Sequence, residues 1–182
     1  QELIDVARKE KAQEIIILPN NPNVALVAQQ AANLVDDSAL LVLDTETLPQ
    51  GVASLLAFNP ELSGRDNMDA MILAARSIRT GEITRAGRDT EIDGVLCRAG
   101  QFIGLLDGHL IVSGDEEVEV LTELISRSEP EDGSLITLYY GEGVSLGQAQ
   151  QSGDHILEAS PGAEVEIVYG GQPLYTYILS IE

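Results

Sequence analysis

Tryptophan is missing from this 182-residue chain, cysteine occurs once, histidine twice, and aromatic residues amount to 4%. Cys97 has no second cysteine to pair with, so an internal disulfide is excluded and a reducing cytoplasm is the compartment expected. His109, His155 and Cys97 stand far apart, which leaves little for a zinc site or a Ser-His-Asp triad. On a strand edge, Cys97 reads as a small core residue rather than a nucleophile. No apolar run reaches membrane-spanning length, and 44% hydrophobic residues place the chain among soluble globular proteins. A GxxxxGK(S/T) loop, a GxGxxG turn after a strand and a GxSxG elbow are all lacking. Glu2 to Lys11 read as an amphipathic helix without the apolar core of a signal peptide. With no initiating Met, the sequence reads as a domain of something longer.

Positive charge is the other scarcity. Thirty acids against ten Lys and Arg give a net charge of −20. Residues 1–98 hold 15 acids and nine bases, whereas residues 99–182 hold 15 acids and Arg127 alone. Such a field repels nucleic-acid phosphates and anionic lipid headgroups. It fits either a solvated acidic face or a basic partner.

What is present is organised around Glu14 to Val35. Ile15 to Leu18 are a short β-branched run, the signature of a strand buried on both faces. Pro19 and Pro22 interrupt it, and Asn23 stands in the N-cap position of a helix with Val24, Val27, Ala28, Ala31 and Leu34/Val35 as its apolar stripe. A parallel strand over Ala39 to Leu43 completes a βαβ unit. Helices follow over Val52 to Phe58, ended by Asn59-Pro60, and from Ser63 onward, with Asp66 closing a capping-box variant.

Near Thr80-Gly81 the apolar period falls from about 3.6 to 2. Short strands are predicted over Glu82 to Asp89, Val95 to Arg98, Gln101 to Leu106 and Leu110 to Val112, with Asp107-Gly108 as a type I′ turn. A helix with acids in its first turn follows, then a strand over Ser134 to Tyr140 and a helix over Ser145 to Ala159. Glu164 to Tyr169 alternates with Val165, Ile167 and Tyr169 inward, and a strand over Leu174 to Ile181 closes the chain. The fold class is α/β: a small parallel-sheet lobe over 1–79, then a mixed α+β lobe over 80–182 with a β-meander.

Four stretches carry a family resemblance: LPNNPN from Leu18, TLPQGVASLLAFNP from Thr47, TLYYGEGV from Thr137 and GGQPLYTYILSIE from Gly170. In this order they resemble the C-terminal part of the kinase component of bacterial fatty acid kinase, a family also described as dihydroxyacetone-kinase-like. The resemblance implies a fold similar to the two-lobed DegV-type fatty-acid-binding proteins. It also implies a parent kinase whose ATP and Mg²⁺ belong to an N-terminal domain absent from this chain. That kinase would phosphorylate a fatty acid presented by a DegV-type carrier. The C-terminal domain would dock the carrier without being catalytic itself, and a middle domain of the same polypeptide would supply dimerisation and phosphoryl-transfer residues. The alternatives are a small-anion or fatty-acid ligand-binding domain, or part of a dihydroxyacetone (glycerone) kinase. Such an enzyme holds its substrate on a histidine, and neither His109 nor His155 stands in that kind of setting.

Two groups are candidate ligand or partner contacts. Asn20, Asn21 and Asn23, with Thr45 after the next strand, line the carboxyl edge of a parallel sheet, where open α/β sheets bind ligands. The same asparagines serve equally as helix caps and left-handed turn residues. Arg85 and Arg88 belong to the main basic concentration outside the N-terminal helix. Arg88 either pairs with Asp89 or greets an acidic partner. No cofactor or metal is expected in this chain.

Overall fold

Ile15–Ile17 (β1) and Leu40–Val42 (β2) pair in parallel, Ile15 opposite Leu40 and Ile17 opposite Val42, and Pro22–Leu34 (α1) crosses between them. The computed structural model describes residues 12–34 and 40–182. The helix expected over Glu2 to Lys11, Val35 of the expected α1 stripe and the first residue of the expected strand at Ala39 lie outside them. Two compact units divide the chain, Gln1–Ile78 and Arg79–Glu182.

In the first unit α1 departs from the sequence reading in two ways. Its cap is Asn21, whose Oδ1 accepts the N–H groups of Asn23 (2.9 Å) and Val24 (3.4 Å), so Asn23 is already helical. Pro22 opens the helix, where a missing N–H costs nothing. Ala28 and Ala31 of the expected stripe are buried, joined by Ala25, while Val24 and Val27 are 40% and 52% exposed. Alanine lets a helix lie close against its neighbours, so the small residues rather than the bulkier valines take the inner face.

Leu48–Leu56 (α2) begins four residues before the expected start, because Thr47 caps it by accepting the Gln50 N–H and Pro49 fits its first turn. Ser63 caps Gly64–Arg76 (α3), accepting the Asp66 N–H at 3.2 Å while its hydroxyl donates to Asp66 Oδ2 at 2.7 Å. Met71 and Ala75 face inward, and the Ser54 hydroxyl ties α2 to the Met71 carbonyl at 3.0 Å.

The second unit is built on six strands, Arg79–Arg85 (β3), Phe102–Leu106 (β6), His109–Gly114 (β7), Leu135–Tyr140 (β8), Glu164–Tyr169 (β9) and Tyr177–Ile181 (β10). They form one sheet in the order β7-β6-β3-β10-β8-β9. Neighbours run antiparallel except β8 and β9, which Leu146–Ala159 (α5) connects as a second parallel crossover. Asp107 and Gly108 take φ of +50° and +80°, the type I′ geometry their dipeptide predicts.

The strand expected over Glu82 to Asp89 is displaced: β3 starts at Arg79 and ends at Arg85. Beyond it, the strand expected over Val95 to Arg98 is Val95–Cys97 (β5), and Thr90–Ile92 (β4), a strand not expected, pairs with it in a hairpin around Asp93 and Gly94, at φ of +54° and +79°. Cys97 is buried there against Ala86 and Leu110.

Glu117–Ser128 (α4) and α5 bury Leu121, Leu124, Ile125 and Ile156 with Ile83, Ile136, Leu138, Tyr177 and Leu179 of the strands. The closing strand β10 is therefore central, every residue of it buried. Alternation predicts Tyr169 to point inward, yet it is 61% exposed, its ring 5.3 Å from that of Tyr140. An edge strand has nothing to cover its last residue.

Candidate functional site

β3 and β10 bring together side chains that stand far apart in sequence. Arg85 ends β3 opposite Phe102, and its guanidinium carbon lies 3.8 Å from the centre of that ring. One guanidinium N–H donates to the Gly100 carbonyl at 2.7 Å. These contacts hold the cation against one wall of a cleft of about 590 Å³. Glu117, the first residue of α4, and Tyr177, the first of β10, also line it.

Tyr177 is 1% exposed, and its hydroxyl accepts a hydrogen bond from Ser152 of α5 at 2.9 Å. It is also hydrogen-bonded to the Glu117 side chain. Burial raises the Glu117 carboxyl above its ordinary value, a shift opposed by the Tyr177 bond and the charge of Arg85. Tyr177 is pushed up to about 12, first by burial and further by Glu117, while Ser152 acts the other way. Tyr177 therefore stays a neutral donor. The row runs Ser152 hydroxyl to Tyr177 hydroxyl to Glu117 carboxylate.

The cleft's rim is the segment between β9 and β10. The Thr84 hydroxyl donates to the Leu174 carbonyl (2.7 Å), Glu142 N–H to the Gln172 carbonyl (3.1 Å) and Gln172 Nε2 to the Tyr139 carbonyl (2.8 Å). Gly141 N–H donates to the Thr176 carbonyl at 2.9 Å. A Cβ on Gly141 would run into the Tyr175 and Gln172 carbonyl oxygens, and backbone cannot swing aside as a side chain can. Gly141→Ala is therefore expected to displace residues 172–176 and to cost about 1–3 kcal/mol. Faster amide exchange at Glu142 and Thr176 checks it; unaltered exchange at both would refute the close-approach argument.

Of the residues singled out by sequence, Asn20 and Thr45 do meet. Asn20 has φ +53°, its N–H donates to Thr45 Oγ1 at 3.3 Å, and Thr45 is completely buried. The Asn20 Oδ1 is buried beside Gly51 with no hydrogen-bond partner among the described residues. Asn21 and Asn23 lie exposed at the start of α1. Arg85 stands in the cleft of the second unit, whereas Arg88 is exposed after β3. Among the described residues Arg88 forms no ion pair with Asp89, whose Oδ1 instead accepts the Ala99 N–H at 2.7 Å. A carboxylate two bonds from its own backbone reaches the turn that follows β5 more readily than it reaches its chain neighbour.

Glu117, Tyr177 and Ser152 carry no signal in the sequence that sets them apart. Glu117 reads as an ordinary acid in a first helical turn, and Tyr177 as one tyrosine among five.

The first unit has an apolar cleft of about 510 Å³ lined by Ile16, Leu18, Leu55, Phe58, Leu62 and Met71. Leu55 and Leu62 are 63% and 49% exposed, and Leu56 beside them 82%. No group of three or more His, Cys, Asp or Glu able to hold a metal occurs among the described residues. Among them, too, no helix is long and apolar enough to cross a membrane.

Comparison with known proteins fits both units. Protein YloV of Bacillus subtilis is 37% identical over all 182 residues, and SH1689 of Staphylococcus haemolyticus 34%. The chain spans about a third of the length of these relatives, 33% of each. Among solved structures, the DegV-family protein Cg2579 of Corynebacterium glutamicum superposes with a TM-score of 0.64 at 15% identity, covering 99% of this chain and 79% of that one. A DegV lipid-binding protein of Thermotoga maritima gives 0.62 at 14%, covering 100% and 73%. At such identities the likeness concerns the fold, which is of the DegV kind. The FakA-like C-terminal family, the C-terminal domain of fatty-acid-kinase-like proteins, matches residues 1–182, and the chain belongs to that family.

Proposed function

We propose that this chain is the recognition domain of a fatty-acid-kinase-type protein and that it docks a DegV-type fatty-acid-binding protein. The remainder of the polypeptide would then phosphorylate the bound acyl chain with ATP and Mg²⁺. The observation that carries the reading is the match of the whole chain to the C-terminal domain of that family. Two surface features support it. Leu55, Leu56 and Leu62 expose apolar side chains around an open cleft, a pattern that marks interaction surfaces. Arg85 and Arg88 place positive charge on the surface of a unit that is otherwise strongly acidic.

The test is calorimetric titration of this chain with the DegV-type protein of the same organism. Arg85→Glu with Arg88→Glu is expected to weaken binding about tenfold or more, because rim charges steer association and like charges repel. Circular dichroism confirms that the variants are folded. Unchanged affinity in both singles and the double would remove this surface from the interface, and no binding by the unaltered chain would overturn the docking reading.

A further inference from the structure

We propose that the cleft at Glu117 is a receptor for a basic side chain, lysine or arginine, presented by the docking protein. The inference rests on the docking reading above and adds which groups meet.

Glu117 and Arg85 line one cleft without forming an ion pair. The Glu117 carboxylate lines the cleft half-buried, and among the described residues it has no ion-pair partner. A half-buried carboxylate is partly stripped of water, and an ion pair with an arriving cation offsets that cost. The Tyr177 hydroxyl orients it but supplies no charge. Arg85 acts on it through charge but makes no ion pair with it, its guanidinium being held by Phe102 and the Gly100 carbonyl on its own wall. An ionised carboxylate is an acceptor with room for several donors, of which Tyr177 provides one.

The chemistry of the guest follows. A cation such as Ca²⁺ takes about six to eight oxygen ligands, and a single carboxylate is too few. An ammonium or guanidinium needs only one carboxylate and brings its own donors. The surrounding field has the matching sign: residues 79–182 hold 19 acids against five arginines, a net of −14. Such a field concentrates basic surfaces and speeds their arrival. A volume of about 590 Å³ lies in the range of cavities that hold small ligands. Arg85, facing the same opening, favours a guest whose basic residue has an acidic neighbour, which fixes one direction of entry.

The experiment uses the 182-residue chain and two probes. N-acetyl-arginine amide, followed by the backbone and tyrosine resonances around Glu117 and Tyr177, is expected to bind saturably. That binding should be lost in Glu117→Gln and kept in Glu119→Gln, an exposed acid of the same helical turn. With the DegV-type protein as second probe, Glu117→Lys should weaken binding by about tenfold or more, against less than about threefold for Glu119→Lys. Equal binding of the small probe by both glutamine variants overturns the receptor. If the protein partner binds Glu117→Lys as it binds the unaltered chain, docking stands and this contact falls. If the small probe depends on Glu117 while the protein partner never binds, the receptor stands and the docking reading falls.

Discussion

Leu124→Ala is expected to destabilise the second unit by about 3–5 kcal/mol, the range for truncating a leucine in a core that cannot collapse around the space. Leu124 is completely buried on α4, facing two strands that carry glycine where it lands. A Cβ placed on Gly81 of β3 would lie 2.9 Å from Leu124 Cδ2, and one on Gly104 of β6 3.0 Å from Cδ1. Its methyl groups thus fill hollows left by missing side chains on neighbouring strands. The backbone around those hollows is held by sheet hydrogen bonds, so it cannot close in when the methyls are removed. Chemical denaturation measures this cleanly because the chain has no tryptophan, and all five of its tyrosines lie at or beyond Tyr139. Tyrosine fluorescence therefore reports on the second unit alone. A loss below about 1 kcal/mol would mean that the helix moves in to repack the sheet.

The same pair of glycines indicates which parts of the fold sequence can disclose. Alternation over Glu164 to Tyr169 and the Asp107-Gly108 turn are local patterns, and the structure has both the strand and the turn. Asp93-Gly94 is an identical dipeptide signal, and the strand after it is legible, but the three residues before it, Thr90–Ile92, are too short and too exposed to read as its partner. The inner face of α1 departs from its predicted stripe for a different reason. Hydrophobic periodicity weights valine above alanine, whereas close packing against a short parallel pair selects the smaller residue. Assigning a helix face needs size as well as polarity.

The candidate site lies further out of reach. Arg85 and Phe102 face each other only because β6 pairs with β3. Tyr177 meets Ser152 and Glu117 only because the last strand inserts between β3 and β8 rather than adding at an edge. Sequence order suggests a closing strand at the rim; the sheet order makes it the centre. Strand insertion is a long-range choice, decided by the fully buried pattern from Tyr177 to Ile181, which single-strand reading records as hydrophobic and nothing more. Asn20 and Thr45, by contrast, follow at once from a parallel pair and its loops, so their meeting is foreseeable.

The first unit supplies the other large effect. Asn67→Ala is expected to destabilise the turn between α2 and α3 and to cost about 2–3 kcal/mol, although no apolar contact of note is lost. Asn67 is completely buried in the first turns of α3, where its type is an unremarkable helix residue. Its carboxamide accepts the Asn59 N–H at 2.7 Å and donates to the carbonyls of Asn59 and Ser63, both at 2.9 Å, and of Leu62 at 3.4 Å. One side chain therefore satisfies the backbone on both sides of Pro60, which itself contributes no donor. Alanine leaves the Asn59 N–H and the facing carbonyls without these bonds in a buried site. Aspartate is the discriminating comparison: it keeps an acceptor for the Asn59 N–H but turns a negative charge toward three carbonyl oxygens. Asn67→Asp should therefore be at least as unstable as Asn67→Ala above about pH 6, where the unfolded chain's aspartate is ionised and folding must either bury that charge or bind a proton. Hydrogen exchange at the Asn59 amide reads the local opening in a unit that has no tyrosine. If aspartate restores protection there, the accepting oxygen alone holds the turn, and the role assigned to the amide donors is wrong.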